Sequence, residues 1–434
     1  MRKLFKYYPQ CSEVFLEQLL VSSKQDIHFT LLYSGGNTSN RTVSNRYEWI
    51  AAMGALAVIS PKENFFEALK AFYKKTNDWL FGCLSYDLKN EIESLNSKND
   101  DKLMFPELHF VQPEVVFINR SNTIECHHYE SFDIQSKLEE IERIEIPNFH
   151  SKVKFQSKIS REEYLNAITE LLKNIKYGNI YEINYCQEFY SSPNNFDPQV
   201  TYLKMLKKFP TPFSCFVKQN SRYILSASPE RFLKKQGNKL TSQPIKGTIR
   251  RSANQKEDMQ LANELHTSDK ERSENIMIVD LVRNDLAKIA KKGTVTVDEL
   301  CGIYSYQTVH QMISSVSAQL NDNCHPVDAV KSCFPMGSMT GAPKVKAMQL
   351  IEEFEHTKRG IYSGAVGYFS PNGDFDFNVI IRTLLYSEIN NYLSLMAGSA
   401  ITNLSIPEKE YEECLLKANS FFELIGKSTD ITNA

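Results

Sequence analysis

The order of helix and strand signals constrains this chain most. Ser160 with Glu163 forms a capping-box pattern, and Tyr164, Ile168, Leu171, Leu172 and Ile175 follow at helical spacing up to Gly178. Segments 180–190, 214–217 and 222–227 then read as strands. A second capping-box pattern, Ser268 with Glu271, opens a helical stretch toward Gly293, and 294–320 alternate as strands. Pro343 stands just inside a helix that runs to about 355, 361–401 read as strands and turns, and 406–425 as a closing helix. In residues 1–130, short apolar runs such as 27–32 and 79–86 are broken by Gly, Asn and Ser and read as strands and turns. Residues 92–102 read as a polar surface loop, and the charge-rich 131–152, with Pro147, as a connector. No internal repeat is visible. Strands and helices mix without regular βαβ alternation, which points to an α+β fold and away from a doubly wound sheet.

Composition removes several function classes. The chain has 434 residues, 42% of them hydrophobic, enough for a sizeable core. A formal net charge of -2 gives no basic excess for nucleic acid or an anionic membrane. No apolar run approaches the ~18 residues a membrane helix needs. The start, Met1-Arg2-Lys3-Leu4-Phe5-Lys6, lacks the apolar run of a secretory leader, so a cytoplasmic protein is expected. Nine scattered cysteines without a C-x-x-C pair fit free thiols in a reducing compartment. Cys126-His127-His128 makes a poor metal site, because adjacent strand residues face opposite sides.

Four constellations carry chemistry. Gly337-Ser338-Met339-Thr340-Gly341-Ala342-Pro343-Lys344 precedes a helix, and such a turn suits either an anion or a plain loop-to-helix junction. It is not a Walker A loop, since no Gly-Lys-Ser/Thr ends it. Glu271 with Glu274, and Glu410 with Glu413, are i,i+3 pairs on two helical faces. Converging carboxylates hold Mg²⁺ through one or two oxygens and leave room for water and substrate. The plain alternatives are a cap at Glu271 and an i,i+4 pair of Glu413 with Lys417. His310 lies in a strand-like run, where structural histidines are common, although its neutral-range pKa suits proton transfer. Arg382, read as a residue of an apolar strand, needs an anionic partner, either a substrate carboxylate or an internal acid.

Taken in order, Ser228-Pro229-Glu230-Arg231, Pro244-Ile245-Lys246-Gly247-Thr248, the 271–285 segment, His310, the 337–344 turn, 364–368, Ile381-Arg382-Thr383, Ala397-Gly398-Ser399-Ala400 and 407–418 resemble the chorismate-utilising enzyme family. The resemblance spans about 153–425. It implies two packed antiparallel β-sheets with helices on the outside and the active site between them. Residues 1–150 would form the N-terminal region of that fold and 151–434 the chorismate-binding region. It further implies Mg²⁺ at Glu274 and Glu413, with Glu271 and Glu410 close by, gripping the ring carboxylate. Arg382, Tyr362 and backbone N–H groups near Gly398 would meet the enolpyruvyl carboxylate, with Ser338, Thr340, Gly247 and Thr248 as local contacts.

Within the family, a lysine at 246 resembles the branch that makes 4-amino-4-deoxychorismate, whereas the anthranilate-forming branch carries alanine. The water-adding branch uses a lysine base about 64 residues earlier. Glu182 stands there, where the ammonia-using branches usually carry glutamine. The stretch Leu31-Leu32-Tyr33-Ser34-Gly35 lacks the glutamate of a tryptophan-regulated inhibitor pocket, so tryptophan feedback is not expected. The implied chemistry has Lys246 as nucleophile, Glu230 as general acid and His310 orienting or deprotonating near the leaving hydroxyl. No glutaminase signature is evident, and 434 residues leave no space for such a domain. Ammonia is therefore expected from a separate glutamine amidotransferase subunit, with 4-aminobenzoate released elsewhere, toward folate.

Overall fold

The computed structural model describes residues 2–34, 47–120, 122–148 and 153–426. Its strands form two antiparallel sheets, one of twelve strands and one of ten among the described residues. The larger sheet runs from the N-terminal strand Lys3–Tyr7 at one edge to Tyr392–Thr402, Glu182–Ser191 and the short Gly341–Ala342 at the other. The smaller runs from Ile245–Arg250 and Val309–Gln319 to Leu80–Leu84, Leu108–Gln112 and Ala57–Ile59.

Strict alternation explains why the layers pack this way. In the larger sheet Leu31, Ala51, Phe117, Phe216, Leu225 and Leu395 join the core shared with helices such as Arg161–Lys176 and Pro407–Leu424. Their neighbours Cys215, Val217, Ile224 and Met396 turn the other way and pack with Leu80, Leu233, Leu240 and Phe377 of the smaller sheet. Ile50, Ala52, Val116 and Ile118 likewise meet Trp79, Phe81 and Tyr368. Strands buried on both faces can read as unbroken apolar runs, as Trp49–Met53 does, whereas Phe213–Gln219 and Arg222–Ser228 are interrupted by polar residues although they are buried on both sides. The expected α+β architecture of two packed antiparallel sheets is therefore the one observed.

Both sheets take strands from either side of residue 150. His28–Tyr33 pairs with Phe213–Gln219, and Leu80–Leu84 with Ala365–Phe369. Part of the 131–152 connector is the helix Ile134–Glu142, while 149–152 lie outside the described residues.

Three local readings need correction. The region 1–130, read as strands and turns, also contains the helices Ser12–Ser22 and Phe65–Thr76. Short apolar clusters such as Phe15-Leu16 and Leu19-Leu20 mimic a strand locally, yet they recur every three to four residues and form one buried helical stripe. Pro343 caps the helix Lys344–Phe354 from outside rather than opening it, because Gly341 and Ala342 are paired with Ile183 and Glu182. Arg382 is not a strand residue. It adopts φ 52°, a left-handed conformation, immediately before Thr383–Ser387.

The capping box at Ser160 is complete, with Glu163 returning a 2.7 Å bond to the Ser160 N–H. At Ser268 only half of it forms. The hydroxyl accepts from the Glu271 N–H, but the Glu271 side chain lies beside Gly247.

Candidate active site

A cleft of about 570 Å³ opens where the matching edges of the two sheets meet. Asn184 and the segment 395–400 line it from the larger sheet, and residues 245–250 with Val309 and Gln311 from the smaller. Helices Asp269–Ala287 and Pro407–Leu424 close it with Glu271, Glu274 and Glu413. That volume suits a small-molecule site.

A β-bulge aims Lys246. Against Val309–Gln319, Ile245 pairs with Ile313 and Thr248 with Gln311, so Lys246 and Gly247 together oppose one residue. Gly247 takes φ 83°, which needs no Cβ. Lys246 Nζ then reaches across to the other sheet and lies 2.5 Å from Glu182 Oε1. Lys246 is 9% exposed and Glu182 1%. Burial favours the neutral amine. The Glu182 and Glu274 charges, the hydrogen bond to Glu182 and the Glu230 charge together outweigh it, so the lysine pKa stands above its ordinary value.

Glu230 sits between Arg222–Ser228 and Arg231–Gln236 at the same end of the cleft. Burial pushes its carboxyl up to about 7, against the hydrogen bond from Ser338, the Lys246 charge and the Ile245 N–H. Ser338 Oγ donates to Glu230 Oε1 at 2.6 Å. A carboxyl poised near neutrality can give up a proton during reaction.

A carboxylate cluster stands beside the bulge, with Glu271 next to Gly247. Burial raises Glu274 to about 8, against the Lys246 charge, and burial raises Glu271 in direction. The Glu413 side chain is 43% exposed, and against its partial burial the Lys417 ammonium at 2.7 Å holds it below its usual range. Lys270 lies 3.9 Å from Glu274 and 3.7 Å from Glu410. Glu274 Oε1 and Glu410 Oε2 are buried without a hydrogen-bond partner. Among the described residues no group of three or more His, Cys, Asp or Glu side chains converges to hold a metal by itself. The orphaned oxygen of Glu274, a residue of the cleft lining, nevertheless fits Mg²⁺, which binds through one or two carboxylates and completes its shell with water and substrate oxygens.

Arg382 and Tyr362 also line the cleft. Burial lowers the Arg382 pKa in direction, and no hydrogen bond or ion pair joins its guanidinium to a described residue. Its left-handed backbone turns it out of the ladder, a strained conformation typical of ligand sites. Gly398 lines the cleft too, but a Cβ there would lie 2.1 Å from the Tyr185 carbonyl, so its small size serves strand contact. Gly247 and Thr248 are both in the lining.

Three expected residues lie off the lining. His310 faces away from its lining neighbours Val309 and Gln311, and both ring nitrogens are engaged, by Ser305 Oγ at 2.9 Å and Asp258 Oδ1 at 3.1 Å. Thr340 is fully buried and donates back to the Met336 and Gly337 carbonyls. Glu410 sits behind the cleft, reached through Lys270. The glycine turn is explained by packing, since a Cβ on Gly341 would meet the Glu182 carbonyl at 2.1 Å. Asn184 and Lys270 went unnoticed in sequence. Lys270, four residues before Glu274, carried a signal in its i,i+4 spacing, whereas Glu182 gave none for its pairing with a lysine 64 residues on.

Leu32, Tyr33 and Ser34 line a separate cavity of about 60 Å³, while Gly35 lies outside the described residues. That volume is far below the ~300–1,000 Å³ usual for a small-molecule pocket.

Two sheets meeting at such a cleft, with a buried lysine, a carboxyl near neutrality and a carboxylate cluster, define a class. The chain belongs to the chorismate binding enzyme family, which matches residues 28–423. It is 33% identical to aminodeoxychorismate synthase component 1 of Escherichia coli (strain K12), over 80% of this chain and 76% of that protein. It is also 33% identical to anthranilate synthase component 1 of Thermus thermophilus, over 79% of this chain and 76% of that one. The chloroplastic aminodeoxychorismate synthase of Arabidopsis thaliana is 42% identical over 65% of this chain. The chain spans about a third of the length of the first curated relatives it matches. The fold is shared with anthranilate synthase component I from Streptococcus pneumoniae TIGR4, at a TM-score of 0.73 and 24% identity over 97% of this chain and 92% of that one. No helix among the described residues is long and apolar enough to cross a membrane.

Proposed function

We propose that this chain converts chorismate and ammonia to 4-amino-4-deoxychorismate, for 4-aminobenzoate and folate synthesis. Identity alone does not choose between the two bacterial component 1 relatives, at 33% each. The observation that carries the choice is Lys246, buried in the cleft beside Glu230, whose carboxyl stands at about 7.

In this reading the Lys246 amine forms a bond to ring carbon 2. The ring double bond shifts, the carbon 4–oxygen bond breaks, and Glu230 protonates the departing hydroxyl, which leaves as water. Ammonia then forms its bond at carbon 4, the double bond shifts back, and the amine of Lys246 is released. The amino group formed at carbon 4 returns a proton to Glu230. Two allylic displacements replace one difficult substitution. The unpartnered Arg382, beside Tyr362, suits the enolpyruvyl carboxylate through charge-assisted hydrogen bonds. Glu274 and Glu413, with Glu271 and Glu410 near, would hold Mg²⁺. Bound there, Mg²⁺ would neutralise and orient the ring carboxylate. His310, held by Ser305 and Asp258, acts in this reading as a support for its strand. Ammonia comes from a separate glutamine amidotransferase subunit, as the component 1 designation of the bacterial relatives supports.

The test incubates the purified chain with chorismate, MgCl₂ and ammonium chloride, and resolves products against standards for wild type and Lys246→Ala. A 4-amino-4-deoxychorismate product that the variant loses, or diverts to anthranilate, supports the reading. Anthranilate from wild type, unchanged in the variant, overturns it in favour of anthranilate synthesis.

A further inference from the structure

Glu182 takes no part in that scheme, yet its Oε1 lies 2.5 Å from the Nζ of the lysine that does. It is 1% exposed and lies behind Lys246 rather than in the cleft lining. Its backbone is locked between two strands, opposite Thr402 on one side and Ala342 on the other. The missing Cβ of Gly341 lets that second strand come within 2.1 Å of where a side chain would start. Oε1 holds the lysine, while Oε2 is buried with no hydrogen-bond partner. A rigid carboxylate with a spare oxygen, in contact with an ammonium that must become an amine, has a definite chemical use.

Resting on the proposed reaction, we infer that Glu182 is the positioning residue and proton acceptor of Lys246. It holds the side chain as an ammonium in the empty cleft and takes a proton from Nζ as the carbon–nitrogen bond forms. The balance closes. The proton moves from Nζ to the Glu182 carboxylate, and the freed lone pair makes the bond to the ring. The hydroxyl leaves as water with the Glu230 proton. When ammonia displaces the lysine, Glu182 returns its proton to Nζ, and the new ammonium on the product recharges Glu230.

This arrangement has a consequence for pH. Ammonium with carboxylate, and amine with carboxylic acid, carry the same number of protons. The reactive form is therefore reached without losing a proton to solvent, and adduct formation lacks a lysine-type acid limb. With glutamine at 182 the proton must leave the site, and the amine fraction rises about tenfold per pH unit below the lysine pKa. Glu230, Glu271, Glu274 and Glu413 also face Lys246 electrostatically, and Lys270 stands among the carboxylates. They are common to both proteins, but the Glu182 charge also raises Glu274, so Glu182→Asp, which keeps that charge, is the control for this coupling.

The experiment uses the full chain with chorismate and MgCl₂ but no ammonia, quenched and read by intact mass for a chorismate adduct lacking one water. Wild type, Glu182→Gln and Glu182→Asp are compared from about pH 6 to 8, with chorismate binding as a control. The expected result is a Gln-to-wild-type rate ratio that climbs about tenfold per pH unit, and an Asp ratio that stays flat. A flat Gln ratio means a merely structural residue and overturns the inference. A lysine-type acid limb in wild type does the same, even if the Gln variant does not fold. Wild type that forms no adduct here, and no 4-amino product once ammonium chloride is added, overturns the reaction itself. Wild type that forms the product without the adduct overturns the covalent step and the role of Glu182 with it, and an adduct with a flat ratio overturns only the role of Glu182.

Discussion

Ser338 Oγ donates a 2.6 Å hydrogen bond to Glu230 Oε1, which ties the 337–344 turn to the candidate general acid. This bond favours the charged carboxylate and pulls its pKa down against burial, leaving it at about 7. Ser338→Ala removes that pull, so the pKa rises and the proton is kept to higher pH. A hydrogen bond to a charged group is worth about 1.5–3 kcal/mol, so the alkaline limb of the kcat profile moves up by one pH unit or more. A limb that stays in place assigns it to another group.

The Arg382 guanidinium has no hydrogen-bond or ion-pair partner among the described residues, so its removal costs the protein without substrate little. Arg382→Met is expected to keep or raise the melting temperature. It also removes a charge-assisted contact worth about 1.5–3 kcal/mol, which raises KM for chorismate roughly 10- to 100-fold. Unfolding at lower temperature instead indicates an internal role.

Glu274 illustrates the opposite trade. Its folded pKa of about 8 lies above the ordinary 4.5, because burial disfavours its charge. The destabilisation is absent below about 4.5, grows as pH rises and is full above about 8. Glu274→Gln should therefore melt at higher temperature than wild type without metal, by a margin larger at alkaline than at acid pH. The same variant should lose stabilisation by MgCl₂ with chorismate. Thermal melts at two pH values, with and without both ligands, check each part.

Arg359 is a structural cation with many duties. It pairs with Glu355 at 2.6 Å and donates to the Met339 carbonyl at 2.6 Å and the Asn184 carbonyl at 2.8 Å. Both partners of the pair are buried, at 1% side-chain exposure each. Arg359→Ala strands the carboxylate and frees the turn that carries Ser338, so a loss of about 3–5 kcal/mol is expected in a denaturant titration.

Much of the architecture was written locally. The helix Arg161–Lys176 announces itself by its capping box and stripe, and the two-sided burial of Trp49–Met53 by an unbroken apolar run. Caps and periodicity act between residues a few positions apart, so they survive in one dimension. The sequence by itself thus determined the α+β class, most elements and the motifs bearing Lys246, Glu230 and the carboxylate pairs. The tertiary structure alone decided which side chains meet. Strand register set Lys246 against Glu182 from opposite sheets, turned His310 to Ser305 and Asp258, and folded Thr340 back on its own turn. The physical reason is that partners across sheets depend on register and bulges set by the whole core, and a bulge of one residue re-aims a side chain.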